Sequence, residues 1–253
     1  MDLDIIGAPN QILVNGTRLV WGELGAGPPL VLLHGLWDSH RAWRRVAPLL
    51  APHFHVLMLD LPGHGWSGRP DAPYTLAYFA DMVGGWMEAI GLARAHVCGH
   101  SFGGGVAEYM LLPAHRARVD RLALVAAGGL GREVNVGMRL AAVPVLGPLV
   151  TPLALRVGSP LVARLLPQLL GHMEPAEAKV VQRMCRRPGS IRAFQRALGA
   201  VIDVRGQYVQ MAQRDHEIAD LPPIALFWGT RDPMIPAHHG TRFLERVSGA
   251  SLT

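Results

Sequence analysis

The stretch His96-Val97-Cys98-Gly99-His100-Ser101-Phe102-Gly103-Gly104-Gly105 decides the fold of this 253-residue chain. An apolar run ends at Cys98, a Gly-x-Ser-x-Gly pentapeptide follows, and a helical pattern opens at Phe102. In that context the pentapeptide makes a sharp strand-to-helix corner that exposes its serine. Glycines are needed two positions either side of Ser101 because a side chain there would collide with neighbouring backbone in so tight a turn. The serine is thereby held at the carboxyl end of a sheet and at a helix N-terminus, whose amides favour negative charge. Gly104 and Gly105 let that helix approach the sheet closely.

Outward from this corner, apolar β-branched runs alternate with helical patterns, as in an α/β fold with a largely parallel sheet and helices on both faces. The expected strands are Gln11–Val14, Leu19–Glu23, Pro29–His34, His55–Leu59, His96–His100, Leu122–Ala126 and Ile224–Trp228. Helices are expected at about Arg41–Leu50, Leu76–Ile90, Phe102–Leu112 and His238–Val247. Asn15-Gly16 joins the first two strands as an antiparallel hairpin. From Leu130 to Asp220 the rhythm breaks into Leu, Ala, Val and Arg at helical spacing, with no convincing strand. That segment is far longer than one crossover requires. It reads as a helical lid inserted between two parts of a core, residues 1–129 and 221–253, with Gly128-Gly129-Leu130-Gly131 and Leu221-Pro222-Pro223 as its joints.

Composition narrows the function. Half of the residues are hydrophobic and 17% are charged, which excludes a disordered or polar adaptor. The longest apolar stretch, Val143 to Leu155, is interrupted by three prolines and falls short of the roughly 20 residues of a membrane span. No basic leader precedes an apolar run, so a cytoplasmic protein is expected. Cys98 and Cys185 are too few for a disulfide framework and read as buried thiols. The net charge of +5 comes from 23 Arg and one Lys scattered along the chain, which is an arginine-rich surface and not a nucleic-acid groove.

A serine that attacks an acyl group also needs donors for the developing oxyanion. The N–H of Phe102 is one candidate. His34-Gly35-Leu36 ends a second apolar strand, where it also reads as a plain strand-ending turn, and offers the N–H of Leu36 as the other.

With Leu32-Leu33-His34-Gly35, the loop Asp60-Leu61-Pro62-Gly63-His64-Gly65-Trp66-Ser67-Gly68, the corner at Ser101, and Trp228-Gly229-Thr230-Arg231-Asp232-Pro233-Met234-Ile235-Pro236 in this order, the chain resembles the α/β-hydrolase superfamily, in its lid-containing serine hydrolase branch. The resemblance runs from about residue 10 to the end. It implies Ser101 as nucleophile and Asp232, after a late strand, as the acid that orients an imidazole. Asp60 reads as a loop-fixing residue. The family pattern places the histidine about 25–35 residues beyond the acid, whereas the sequence ends at Thr253. Ala250-Ser251-Leu252-Thr253 looks like the opening of a last strand. The expectation is therefore truncation: the base lies past Thr253, the chain as written turns over esters poorly, and the edge at Ile224–Trp228 is exposed. His34, His64, His100, His238 and His239 are not expected to replace that base, and His172 and His216, in the insertion, are not placed by the sequence.

The resemblance implies no cofactor and no metal, and a small-molecule substrate. Apolar residues between Leu140 and Leu170 suggest a hydrophobic ester. Carbon–carbon bond hydrolases, lactonases and cofactor-free haloperoxidases share the corner and stay open, although His100 stands where the carbon–carbon hydrolases usually have Asn. A binding protein of the same fold stays open too. Ser101 argues against the epoxide hydrolases and haloalkane dehalogenases, whose nucleophile is Asp.

Overall fold

A computed structural model of the chain describes residues 6–143, 180, 183–218, 220–247 and 249–253. Their elements are β1 (Ala8–Val14), β2 (Thr17–Leu24), β3 (Pro29–Leu33), α1 (Ala47–Leu50), β4 (His55–Asp60), α2 (Leu76–Ala89), β5 (Ala95–His100), α3 (Phe102–Tyr109), β6 (Val119–Val125), α4 (Val136–Ala141), α5 (Ser190–Gly199), β7 (Ile202–Asp203), β8 (Gly206–Gln207), β9 (Ile224–Phe227), α6 (His238–Arg246) and β10 (Ser251–Leu252). Eight strands form one sheet in the order β1-β2-β4-β3-β5-β6-β9-β10. The β1–β2 and β2–β4 pairs are antiparallel, and the remaining pairs are parallel. The β1–β2 turn uses positive φ at both Asn15 (47°) and Gly16 (73°), the geometry an Asn-Gly hairpin supplies.

Strand alternation distributes the core over two faces. Val31, Leu33, Leu57, Leu59 and Val97 pack with α2 and α3 on one side, while Leu30, Leu32, Val56, Met58 and Cys98 pack with Trp43 and Ala47 on the other. Strands buried on both faces read as continuous apolar runs, which is why Leu30–Leu33 and Val56–Leu59 carry no polar residue.

Three expectations need correction. The helix at Arg41–Leu50 is broken into a 3-10 turn at His40–Trp43 and the four-residue α1. Pro48 has no N–H to donate back along a continuous helix, so the chain restarts with proline near a helix start. The segment 130–220 is not free of strands: β7 and β8 form a small antiparallel hairpin. The edge at β9 is not bare either, because β10 pairs in parallel with Ala225 and Leu226, and Thr253 exchanges backbone hydrogen bonds with Leu226 and Trp228. Residues 144–179, which include most of the Leu140–Leu170 stretch and His172, lie outside the described residues.

Two features fix the carboxyl end of the sheet. The first is the corner at Ser101, which sits at φ 52° and ψ −117° as the cap of α3. Its N–H donates to the Val125 carbonyl (3.0 Å), and its carbonyl accepts from Gly104 and Gly128 (2.9 Å each). A Cβ on Gly99 would fall on the Gly103 carbonyl, one on Gly103 would fall on the Leu33 carbonyl, and one on Gly104 would lie 2.5 Å from the Ala127 Cβ. The second is the buried Asp60 carboxylate. One oxygen accepts from the His40 N–H (2.7 Å) and the His40 Nδ1 (2.9 Å), and the other accepts from the Trp66 N–H (2.7 Å). Burial pushes the Asp60 carboxyl up, but His40, His34 and the Trp66 N–H outweigh it and hold the group below the usual carboxylate range. Asp60 therefore pins residues 60–68 to the start of the segment after β3.

Two outcomes follow for stability. Gly103→Ala lowers the unfolding free energy by about 1–3 kcal/mol, because the added methyl meets backbone that cannot yield. Gly229→Ala, with nothing within 4 Å of the new Cβ, stays within about 0.5 kcal/mol in the same urea titration; equal losses at both sites would refute the close-approach account. Asp60→Asn costs about 3–5 kcal/mol near neutral pH, since it leaves buried partners uncompensated. A carboxyl depressed in the folded state contributes stability that is fully present above the unfolded value of about 3.9 and is lost as pH falls from there. The wild-type advantage should accordingly shrink below about pH 4, and a difference that stays constant from neutral pH to pH 3 would contradict it.

Candidate functional site

Ser101, Leu36 and Phe102 border one small cavity that opens to solvent. Its wall is otherwise mostly apolar, with Leu76, Val134, Met138 and Ile235 among its residues. The Ser101 side chain is half-buried at the cavity, not sealed in the core. Among the described residues neither the Leu36 nor the Phe102 amide has a backbone carbonyl partner. Phe102 is the first residue of α3, where helix N–H groups have no intrahelical acceptor. Gly35 begins a turn closed by the Asp38 N–H on the Gly35 carbonyl (3.2 Å), within which Trp37 takes a positive φ of 66°. Leu36 thus lies on a tight loop facing the start of α3.

Asp232 follows β9 in a turn that its own side chain builds. Its Oδ1 accepts the N–H groups of Met234 (2.8 Å) and Ile235 (3.0 Å), and both of these residues line the cavity. The Asp232 charge reaches the ring of His100, one residue from Ser101. Burial holds His100 below the ordinary imidazole value, with Asp38 and Asp232 pulling the other way. The His100 ring lies against Gly35, where an added Cβ would be 3.2 Å from its Nδ1, and edge-on to Trp43.

The other histidines are engaged elsewhere. His34 accepts the Leu61 N–H at Nε2 (3.0 Å) and donates from Nδ1 to the Gly35 carbonyl (2.8 Å), which defines a neutral ring that braces two loops. Burial also lowers its pKa. His64 donates from Nδ1 to the Pro62 carbonyl (2.9 Å) and stacks on Phe102. Burial brings its pKa down to about 3, so it is neutral. His216 lies exposed in a 3-10 turn. Among the described residues no histidine nitrogen is hydrogen-bonded to the Ser101 hydroxyl. The buried thiols of Cys98 and Cys185 are unbridged, and burial pushes both up to about 12.

Two features escaped the reading of the sequence. The buried Gln207 of β8 accepts the Gly129 N–H at Oε1 and donates from Nε2 to the Gly131 carbonyl (2.9 Å each), tying the glycine-rich joint to the hairpin. A buried amide so far along the chain gave no local signal of its partners. His238 and His239, at the start of α6, both turn to Glu133 (3.4 and 2.9 Å). The adjacent histidines were visible in sequence; their carboxylate, more than a hundred residues away, was not.

No helix among the described residues is long and apolar enough to cross a membrane. Comparison with known proteins agrees with this architecture. Residues 28–250 match the family model described as the alpha/beta hydrolase fold. An uncharacterized protein of Mycobacterium tuberculosis is 34% identical over 248 residues, 94% of this chain and 72% of its own. A 2-hydroxymuconate semialdehyde hydrolase of a Pseudomonas species is 35% identical over 132 residues, 51% of this chain and 46% of its own. The crystal structure of an alpha/beta hydrolase fold protein from Burkholderia ambifaria superposes with a TM-score of 0.80 at 26% identity, covering 98% of this chain and 90% of the other. With its eight-stranded, mostly parallel sheet and its serine at the strand-to-helix corner, the chain belongs to the alpha/beta hydrolase family and is a hydrolase by that membership.

Proposed function

We propose that this protein is a serine hydrolase of carboxylic esters or related acyl substrates, acting through an acyl-enzyme on Ser101 with Asp232 as the acid of the triad. The observation that carries the reading is the corner itself: a serine held at φ 52° opens on an apolar cavity beside two amides without carbonyl partners. Ser101 Oγ attacks the substrate carbonyl while an imidazole takes its proton. The oxyanion formed lies between the Leu36 and Phe102 N–H groups, and loss of one such donor typically costs about 2.7–4 kcal/mol of transition-state stabilisation. Collapse expels the alcohol, which takes the proton back, and water then hydrolyses the acyl-enzyme by the same route. Asp232, oriented by the Met234 and Ile235 amides, holds the imidazole tautomer and stabilises the imidazolium.

His34 uses both ring nitrogens on Gly35 and Leu61, His64 donates to the Pro62 carbonyl, and His238 and His239 turn to Glu133, so none of these four is assigned as the base. The apolar wall favours a small hydrophobic acyl group, and no cofactor is called on. The likeness to a 2-hydroxymuconate semialdehyde hydrolase keeps carbon–carbon bond hydrolysis as a second reading.

The test is fluorophosphonate labelling with peptide mapping, done on the protein as its gene encodes it, together with turnover of short and medium-chain p-nitrophenyl esters. Label is expected on Ser101, with Ser101→Ala unlabelled and at least about 10³-fold slower. Faster cleavage of a ring-fission diketone than of any ester would move the assignment to carbon–carbon hydrolysis. Absence of label with intact folding would make the protein a binder of the same fold.

A further inference from the structure

We infer that Glu133, His238 and His239 form a binding site for a divalent transition cation of the zinc type, placed to tie the glycine-rich joint after β6 to the start of α6. The inference is independent of the chemistry at Ser101. Each of the three residues offers one ligand atom, and these atoms lie within 4.8 Å of one another. Glu133 Oε1 lies 3.4 Å from His238 Nε2, and Glu133 Oε2 lies 2.9 Å from His239 Nε2. Ligands about 2.0–2.1 Å from a tetrahedral zinc ion stand about 3.3 Å apart, close to both carboxylate–imidazole separations. Two imidazoles and a carboxylate suit zinc better than magnesium or calcium, which take oxygen ligands.

A ligating carboxylate is ionised and a ligating imidazole neutral. His239 Nδ1 is buried without a hydrogen-bond partner among the described residues. Ligation through Nε2 places the ring proton on Nδ1, and the cation replaces the bond from Nε2 to Glu133. Arg242 Nη1 lies 3.4 Å from Glu133 Oε1 and competes for it, but its side chain is 60% exposed and free to swing into solvent.

The location gives the site a consequence. Val134 and Met234 both border the Ser101 cavity, and Asn135 joins the same two segments through its N–H to the Met234 carbonyl (2.9 Å) and its Nδ2 to the Pro233 carbonyl (3.0 Å). A cation on Glu133, His238 and His239 adds a second tie beside this one and stiffens that wall of the cavity.

The test is isothermal titration of the metal-free protein with Zn²⁺ alone, paired with thermal unfolding with and without the ion. One ion per chain and an upward shift of the unfolding midpoint are expected. Glu133→Gln and His238→Ala, both at half-exposed side chains, are expected to fold normally without metal and to bind at least about tenfold more weakly, since even outer-shell partners of a metal site are worth about 10–100-fold. His216→Ala, at an exposed histidine elsewhere, should bind like the parent. Binding unchanged in both ligand variants, or no one-to-one binding up to about 100 μM Zn²⁺ (weaker than about 5.5 kcal/mol), would overturn the inference.

Discussion

The close approach of α3 to the sheet is the constraint on which the rest of the structure depends. Helix and strand come together at Gly99, Gly103 and Gly104 so tightly that no Cβ fits, and the chain between them must turn within one residue, Ser101. A non-glycine residue at φ 52° and ψ −117° stores strain, and such strain persists only where the surroundings over-determine it. Here they do so through the backbone: the Ser101 N–H and carbonyl are bonded to Val125, Gly104 and Gly128. The side chain takes no part in holding the corner, so its hydroxyl is left for other work.

The segment after β3 is held differently, by buried side chains. Asp60 grips the His40 N–H and ring, and His34 grips the Leu61 N–H, so the end of β3 and the end of β4 are locked to one another beneath Leu36. Ser67 completes the arrangement by donating to the Asp60 carbonyl (2.6 Å) and accepting the Val20 N–H (2.9 Å). Leu36 and Phe102 therefore come to one cavity from two scaffolds with unrelated supports, one backbone and one side-chain. Preorganised donors of this kind are what the oxyanion role proposed for their N–H groups requires.

Much of this was legible because it is local. The corner at Ser101 declares itself through glycine spacing, and β3 and β4 through unbroken apolar runs that only a doubly covered sheet can bury. The β1–β2 hairpin declares itself through Asn15-Gly16. What was not legible depends on contacts between distant segments. The β7–β8 hairpin has two residues per strand, too few for a period to show. Its turn chemistry lies in the Asp203 carboxylate accepting the Arg205 N–H (2.7 Å) and in Gly206 at φ 121°. Pro48 did mark the break near α1, but the apolar spacing from Ala42 to Leu50 concealed it. The convergence of His238 and His239 on Glu133 could not be read, because nothing in residues 130–135 announces which helix they will face.

The walls of the cavity divide along the same line. The floor, at Ser101 and Phe102, is set by backbone geometry that the close approach at Gly99, Gly103 and Gly104 permits. The sides are set by single side chains: Gln207 holds Gly129 and Gly131, Asn135 holds Met234, and Asp232 holds its own turn at Met234 and Ile235. Asn135 and Asp232 bond away from the corner, whereas Gln207 holds Gly129 directly beside Gly128, whose N–H braces the Ser101 carbonyl. The shape of the cavity is therefore set separately by residues 129–138, 201–209 and 233–235 and by the corner at Ser101. That separation of a rigid floor from adjustable sides accounts physically for how one fold hosts many reactions.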